Sequence, residues 1–479
     1  MKLTLIVPNY RLAKDAEHMY YAYAPYNLCV LAARVEDICE VEIIDAYVDD
    51  MSRPDLEAAI RKSAPDVAGI TVLMDQMAHS GHDVAGIVKK ISPNILTILG
   101  GVYATMNPMT AVEDDNFDYI CVGEGEYVLR DLIKFLKKEA PSLPEKGLVY
   151  KENGKIVDKG RSAFIEDLNA IPLPAYHLID FDKYSKEVSR RNSVDCPRTF
   201  PYARLHTSRG CPFGCSFCQV GAISGKTFRY RSVEKVIEEI KLLKDRYGIK
   251  SFIVSESNFL FNRKRVEGIL NAMIEQDLVM PWLSEDTGVM HMDKDLLKLM
   301  RKSGCEYMGC AIETGNDRVM NEIIQGKRFS KEHAIEVVSF AKELGMYVAA
   351  NFIIGFPTET WDEIRETLRF AELLNADYTR IFNLVPLKNT KLWDICEKDG
   401  FFKEGYDHFN MTASWNASSV RSNEYSPNDL TVLRVFEWDR INFGVAEKRI
   451  KTAKRLEMTE EDLKLMRKKT RDNLYASIK

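Results

Sequence analysis

Short apolar runs alternate with longer amphipathic stretches through most of this 479-residue chain. In residues 1–138, the runs Leu3 to Val7, Val41 to Asp45, Asp66 to Val72, Ile95 to Leu99 and Tyr119 to Val122 have the length and branched-aliphatic content of strands. Stretches with helical spacing fit between them. One spans Tyr26 to Ile38, another opens at Ser52 with a proline in its first turn, and Glu126 to Lys138 closes the set. Strands joined by helical crossovers predict a doubly wound parallel sheet. Such sheets bind ligands beyond the carboxyl ends of their strands. That edge carries Pro8, Asn9, Thr71, Gly100, Gly101, Gly123, Glu124 and Gly125.

The texture changes over residues 139–200. Asn153 and Gly154 sit between short apolar runs, a hairpin signal. Ile171 to Pro174 is poor ground for regular structure. The segment is expected to be a linker with a small hairpin. Alternation resumes over 201–395. Candidate strands are Ala203–Thr207, Ser251–Ser255, Pro281–Glu285, Tyr307–Ile312, Val348–Ile354 and Tyr378–Leu384. Candidate helices are Val233–Tyr247, Lys264–Glu275, Lys294–Ser303, Lys331–Leu344 and Trp361–Leu374. Six strand–helix units fall two short of a closed eight-fold barrel. Residues 396–479 are charged and mostly helical, with helix starts at Ser426 and Thr459. No chemistry shows in this tail, and plain packing is expected of it ahead of a role in covering an open barrel side.

The fold class is therefore α/β, the length suggests two or three domains, and a composition 46% hydrophobic and 29% charged is ordinary for a soluble globular protein. A net charge of −5, from 66 basic and 71 acidic residues, argues against a surface that coats nucleic acid. There is no apolar run of 18 residues and no signal-peptide pattern. Seven cysteines are scattered: Cys29, Cys39, Cys121, Cys196, Cys305, Cys310 and Cys396. In a long chain without a secretion signal they are expected to stay reduced, in the cytoplasm of a cell with low oxygen exposure.

The other three cysteines are concentrated. Cys211, Cys215 and Cys218 form a Cys-x3-Cys-x2-Cys run just after the first candidate barrel strand. Three thiolates on one tight loop can hold three corners of a [4Fe–4S] cube. The fourth iron is then open, as a coordination position is at other catalytic metals. A zinc site wants four ligands, usually in two pairs, and no second Cys-x2-Cys or nearby His-x3-His follows. The run, with Phe217 before its third cysteine, resembles that of the radical S-adenosylmethionine (SAM) enzymes. The resemblance implies that SAM chelates the open iron and that one electron from the cluster cleaves its sulfonium bond. The resulting adenosyl radical takes hydrogen from an unactivated carbon. It also implies a six-unit partial barrel, open at one side, and an external donor of flavodoxin or ferredoxin type.

Segments matching the same family stand at the expected strand ends. Glu256, in Ser255 to Phe259, keeps one carboxylate where many relatives have two acidic residues. It and Glu313, after the fourth strand, are candidates for the methionyl amine or a ribose hydroxyl. Asn351 to Glu359 resembles the adenine-side segment, with Asn351 replacing a glycine. There Ile353 would pack on adenine and Gly355 would allow close backbone approach. Glu359 is expected either to serve that segment or to organise the loop or cap the next helix. Pro386 lies just past the sixth strand. Cys305 and Cys310 lack useful spacing for an auxiliary cluster and are expected to be buried thiols.

Residues 1–138 resemble the cobalamin-binding domain that precedes the barrel in one large class of these enzymes. The matching pieces are Thr71 to Leu73, Leu99 to Thr105 (with Gly100, Gly101, Val102 and Tyr103) and Val122 to Glu126. Glycine-rich strand ends would let backbone approach a large flat ligand. No Asp-x-His-x-x-Gly run is present, and His79 and His82 have the wrong spacing for one, so a protein histidine under cobalt is not supported. Tyr103 stands where relatives often carry histidine. A cobalamin-free version of the domain is the alternative.

The class so resembled includes cobalamin-dependent radical methyltransferases and anaerobic magnesium-protoporphyrin cyclases. The leading expectation is methylation of an unactivated carbon in a small molecule or lipid. The alternative is cyclisation, oxidation or carbon–carbon coupling without methyl transfer. A sensor with a relic cluster ranks below both. So does a methylthiotransferase, which would want three further cluster cysteines. Cys29, Cys39 and Cys121 qualify for those by count alone.

Overall fold

The computed structural model describes residues 1–12, 23–191, 193–409 and 417–478. The chain forms two compact units. The first takes in Met1–Val188, Ala222–Gly225 and the residues around His408; the second takes in nearly all the rest.

In the first unit, strands β1 (Lys2–Val7), β2 (Glu40–Asp45), β3 (Val67–Thr71), β4 (Leu96–Gly100) and β5 (Tyr119–Cys121) run parallel in the order 2-1-3-4-5. β3 is buried along its whole length, as a strand with helices on both faces must be. Ser52 caps the helix Arg53–Ser63 in a reciprocal box with Asp55. The helix predicted over Tyr26 to Ile38 stops at Val35. The Asn153-Gly154 hairpin is present as β6 (Leu148–Glu152) and β7 (Lys155–Asp158), and it extends the sheet. β6 pairs antiparallel with β5, and the sheet has seven strands. Its apolar first half, Leu148 to Tyr150, is buried, and that burial draws it into the sheet.

The second unit holds six parallel strands in sequential order: Tyr202–Leu205, Ser251–Val254, Trp282–Thr287, Cys305–Glu313, Tyr347–Ile354 and Tyr378–Asn383. They are here the first to sixth barrel strands. Side-chain N-caps fix the helices between them: Ser232, Asn262, Asp293, Ser330 and Thr360 each accept a backbone N–H. The third strand bulges between Ser284 and Thr287, and a bulge re-aims side chains near a barrel rim.

The tail does more than was expected of it. Helix Pro427–Phe443 lies along the sixth strand, which is the edge of its sheet. Asn442 accepts the N–H of Thr379 at 2.7 Å and donates to its carbonyl at 2.8 Å, while Arg434 donates to Ile381 O. Side chains thus occupy an edge that another strand would otherwise pair with. Among the described residues, no helix is long and apolar enough to cross a membrane.

Candidate active site

The cysteine loop leaves the carboxyl end of the first barrel strand, the face where barrel enzymes place their chemistry. Its base is clasped from two sides. The Glu256 carboxylate accepts from the backbone N–H and hydroxyl of Thr207, at 2.8 and 2.7 Å, and from both donors of Ser208. Arg265 donates to the Thr207 carbonyl at 2.9 Å and to that of Arg231, whose own N–H also reaches Thr207 O. Arg231 in turn pairs with the fully buried Glu239. Arg231 and Glu239 are thus directly paired, while Glu256 and Arg265 are held by groups of the loop itself.

Within the loop, Gly210 and Gly214 take left-handed backbone, at φ 83° and 63°. Ser216 donates its N–H to Ile324 O, and its carbonyl accepts from Leu392 N–H. Gln219 reaches Lys388 O at 2.7 Å. Ile324 ends a π-helical turn, Val319–Ile324, of the kind that gathers at functional sites. Gly326 presses on Cys215 so closely that a Cβ there would stand 2.2 Å from Sγ. Cys215 is buried; Cys211 and Cys218 are half-buried. Burial pushes the Cys215 thiol up to about 11.

Phe217 and Ile353 come together although 136 positions separate their numbers. Both pack on one apolar cluster with Cys215, Cys218, Phe356 and Leu384. Gly355 has φ 85°. Glu359 accepts the N–H groups of Gly355 and Phe356 at 2.7 and 3.0 Å, so it organises this loop. The following helix is capped by Thr360 and Glu363 instead. Pro386 is buried just beyond the sixth strand.

Glu313 ends the fourth strand in left-handed backbone, φ 71°, a conformation that strains a non-glycine residue. Its carboxylate pairs with Lys327 at 3.2 Å. Asn351 is buried beside Asp286, donates to it, and accepts from Arg380 at 3.3 Å. Arg380 also reaches Tyr307 and Asp195. Arg204, Ser255 and Glu285 form a second polar knot, with Arg204 and Glu285 at 2.9 Å. Lys327, Gly326, Asp286 and Arg380 carry no spacing signal, and the sequence reading missed them. Cys305 and Cys310 are fully buried on the fourth strand, with thiols raised by burial.

At the strand ends of the first unit, several of the expected residues commit their side chains to the fold. Asn9 holds Asp50 and Met51; Thr71 Oγ1 accepts from the Asn27 amide at 3.4 Å; Glu124 accepts Ile165 N–H at 2.7 Å. Tyr103 is 1% exposed, its hydroxyl 3.1 Å from His82, which bonds Asp114 at 2.6 Å. A ligand there would meet backbone, not the phenol. Pro8 is buried, while Val102 opens a short helix. Leu73 is 45% exposed. Gly101 (φ 96°) and Gly123 (φ 101°) need glycine, since a Cβ on Gly101 would meet Val72 O at 2.3 Å and one on Gly123 would meet Ser162. At Gly100 a Cβ would meet nothing within 4 Å.

These features fit the implied groups. Ser216 Oγ, on the cysteine loop, and His291 Nε2, whose ring lies against Phe213, are buried without hydrogen-bond partners. Such atoms are rare unless a ligand or water serves them. Among the described residues, no three cysteine, histidine or carboxylate side chains converge as a single-ion site would require. A cube differs in giving each of its thiolates a separate iron.

The Radical SAM superfamily model matches residues 205–371, and the B12 binding domain model matches residues 16–133. An uncharacterized methyltransferase of Pyrococcus horikoshii is 33% identical over 371 residues, 77% of this chain and 78% of that protein. Cytidylyl-2-hydroxyethylphosphonate methyltransferase of Streptomyces wedmorensis is 27% identical over 81% of this chain and 80% of its own length. The fold is similar to that of the radical SAM methyltransferase TsrM of Kitasatospora setae, solved with cobalamin and a [4Fe–4S] cluster. The TM-score is 0.68 at 17% identity, covering 84% of this chain and 78% of that one. A cysteine loop on a six-stranded barrel, a doubly wound unit before it and this relationship together place the chain in the cobalamin-binding radical SAM methyltransferase family.

Proposed function

We propose that this chain methylates an unactivated carbon of a small molecule or lipid, drawing single electrons from a flavodoxin- or ferredoxin-type donor in an oxygen-poor cytoplasm. The observation that carries the reading is the convergence of Cys215, Cys218, Phe217 and Ile353 on one apolar cluster at the carboxyl end of the barrel. When bound, the cluster, SAM and cobalamin supply the radical and methyl-transfer chemistry.

The protein's part is to hold and orient. Cys211, Cys215 and Cys218 are the cluster ligands. Phe217 and Ile353 give adenine an apolar wall, and Gly355 lets backbone approach its edge. Glu313 and Asn351 face the polar groups of SAM. Glu256 supports the site from behind, since its carboxylate already accepts four protein donors. In the first unit, Leu73, Gly100 and Val102, with the backbone at Gly101, Tyr103 and Gly123, form the cobalamin contact.

Protein purified without oxygen should contain iron, sulfide and cobalt together. After reduction it should convert SAM to 5′-deoxyadenosine. Zinc on the cysteine loop, or no cleavage by iron-loaded protein, would overturn the reading. A labelled SAM methyl group absent from every product formed would defeat the methyl-transfer part alone.

A further inference from the structure

We propose that the Lys327–Glu313 ion pair sets the reduction potential of the cluster held by the three-cysteine loop; this rests on the cluster reading above. The sequence gives no hint of it, because Lys327 lies 109 positions after Cys218. The fold brings it back. Gly326 is pressed onto Cys215, with room for no side chain, and this fixes Lys327 beside the loop. Gly326, the residue before Lys327, lies against Cys215 at its backbone and its sulfur. Its side chain is 16% exposed and its ammonium is 3.2 Å from Glu313, whose side chain is 9% exposed. The pair thus sets a positive and a negative charge side by side next to the cysteine loop.

Electron uptake at this loop adds one negative charge among three thiolates. Cluster potentials respond to net charge and to hydrogen bonds on the ligand sulfurs. Charges act strongly across a short, poorly solvated gap. The Lys327 ammonium therefore favours the reduced state, and Glu313 opposes it. The two effects have opposite signs, and a structural brace would not behave that way. Holding Glu313 in strained backbone at φ 71° keeps the carboxylate against the lysine. The electron itself comes from an external one-electron donor, dithionite in the test below.

The test is an EPR-monitored redox titration of anaerobically reconstituted full-length protein, without SAM. Lys327→Met should lower the midpoint potential, by roughly a tenfold change in the reduction equilibrium, or about 59 mV for one electron. Glu313→Gln should raise it. Lys327→Arg should stay near the parent. Iron and sulfide content, measured on each variant, shows that the cluster is loaded. If Lys327→Met does not retain iron, Glu313→Gln decides alone, and an unchanged or lowered potential overturns the proposal. Shifts of the same sign in both variants, or altered SAM affinity with unaltered potentials, would also overturn it. A parent protein with no EPR-active cluster would instead sink the cluster reading and be recognised as such.

Discussion

At Glu256 one carboxylate accepts hydrogen bonds from four donors on two consecutive residues, Thr207 and Ser208. Removing it leaves the buried donors of Thr207 and Ser208 without their acceptor and takes away a negative charge that offsets the nearby Arg265. Glu256→Ala should therefore destabilise the second unit by about 3 kcal/mol, within the usual range for a lost charge-assisted network. Thermal unfolding of the metal-free protein checks this, and a change below the measurement error would refute it. Glu359 makes a different prediction. It is 1% exposed, and burial raises its carboxyl to about 8 despite two backbone N–H bonds. An unfolded glutamate ionises near about pH 4.3. Between those values the unfolded chain releases a proton that the folded chain keeps, so stability falls as pH rises through the window. Glu359→Gln keeps an acceptor for Gly355 and Phe356 but cannot ionise. Its stability relative to the parent should improve from about pH 5 to about pH 8, and parallel denaturation curves at the two pH values would contradict this. The run Cys211, Cys215 and Cys218 stood out because spacing is a local property. Lys327 and Arg265 did not, because folding alone brings them to the loop.

Strand ends show the same division at the scale of elements. The carboxyl end of β4 carries Gly100 and Gly101, which look interchangeable in sequence. In the fold they are not. Gly101→Ala would place a Cβ 2.3 Å from Val72 O at φ 96°, so loss of stability of about 2–4 kcal/mol is expected. Gly100→Ala meets no neighbour, so the unit should fold normally. If this edge is the cobalamin contact, the added methyl should still weaken cobalamin binding, read from its visible spectrum in an equilibrium titration. Undiminished binding by well-folded Gly100→Ala would remove Gly100 from the contact. Helix and strand positions were predictable from periodicity, and Val233–Tyr247 and Trp361–Leu374 have the predicted bounds. The π-turn Val319–Ile324 and the bulge in the third strand were not, because each is a packing response rather than a sequence pattern.

For the whole molecule, the C-terminal helices decide whether the barrel sheet has a bare edge. Asn442 and Arg434 occupy backbone groups of the sixth strand. A chain ending before Ser426 should expose that strand and self-associate, since unpaired edges invite other strands. Light scattering of the truncated and full-length proteins checks this; a monodisperse truncated chain would show the edge is protected otherwise. The sequence by itself determined the α/β class, the alternation of strand and helix in both halves, and the closely spaced run of three cysteines. Each of these rests on short-range periodicity or spacing. Tertiary structure decided the rest: the hairpin's place in the first sheet, the tail's place on the barrel edge, and the spending of Asn9, Tyr103, Glu124 and Glu256 on internal hydrogen bonds. It also set a half-buried lysine beside the cysteine loop. These depend on which distant groups must satisfy one another once water is excluded.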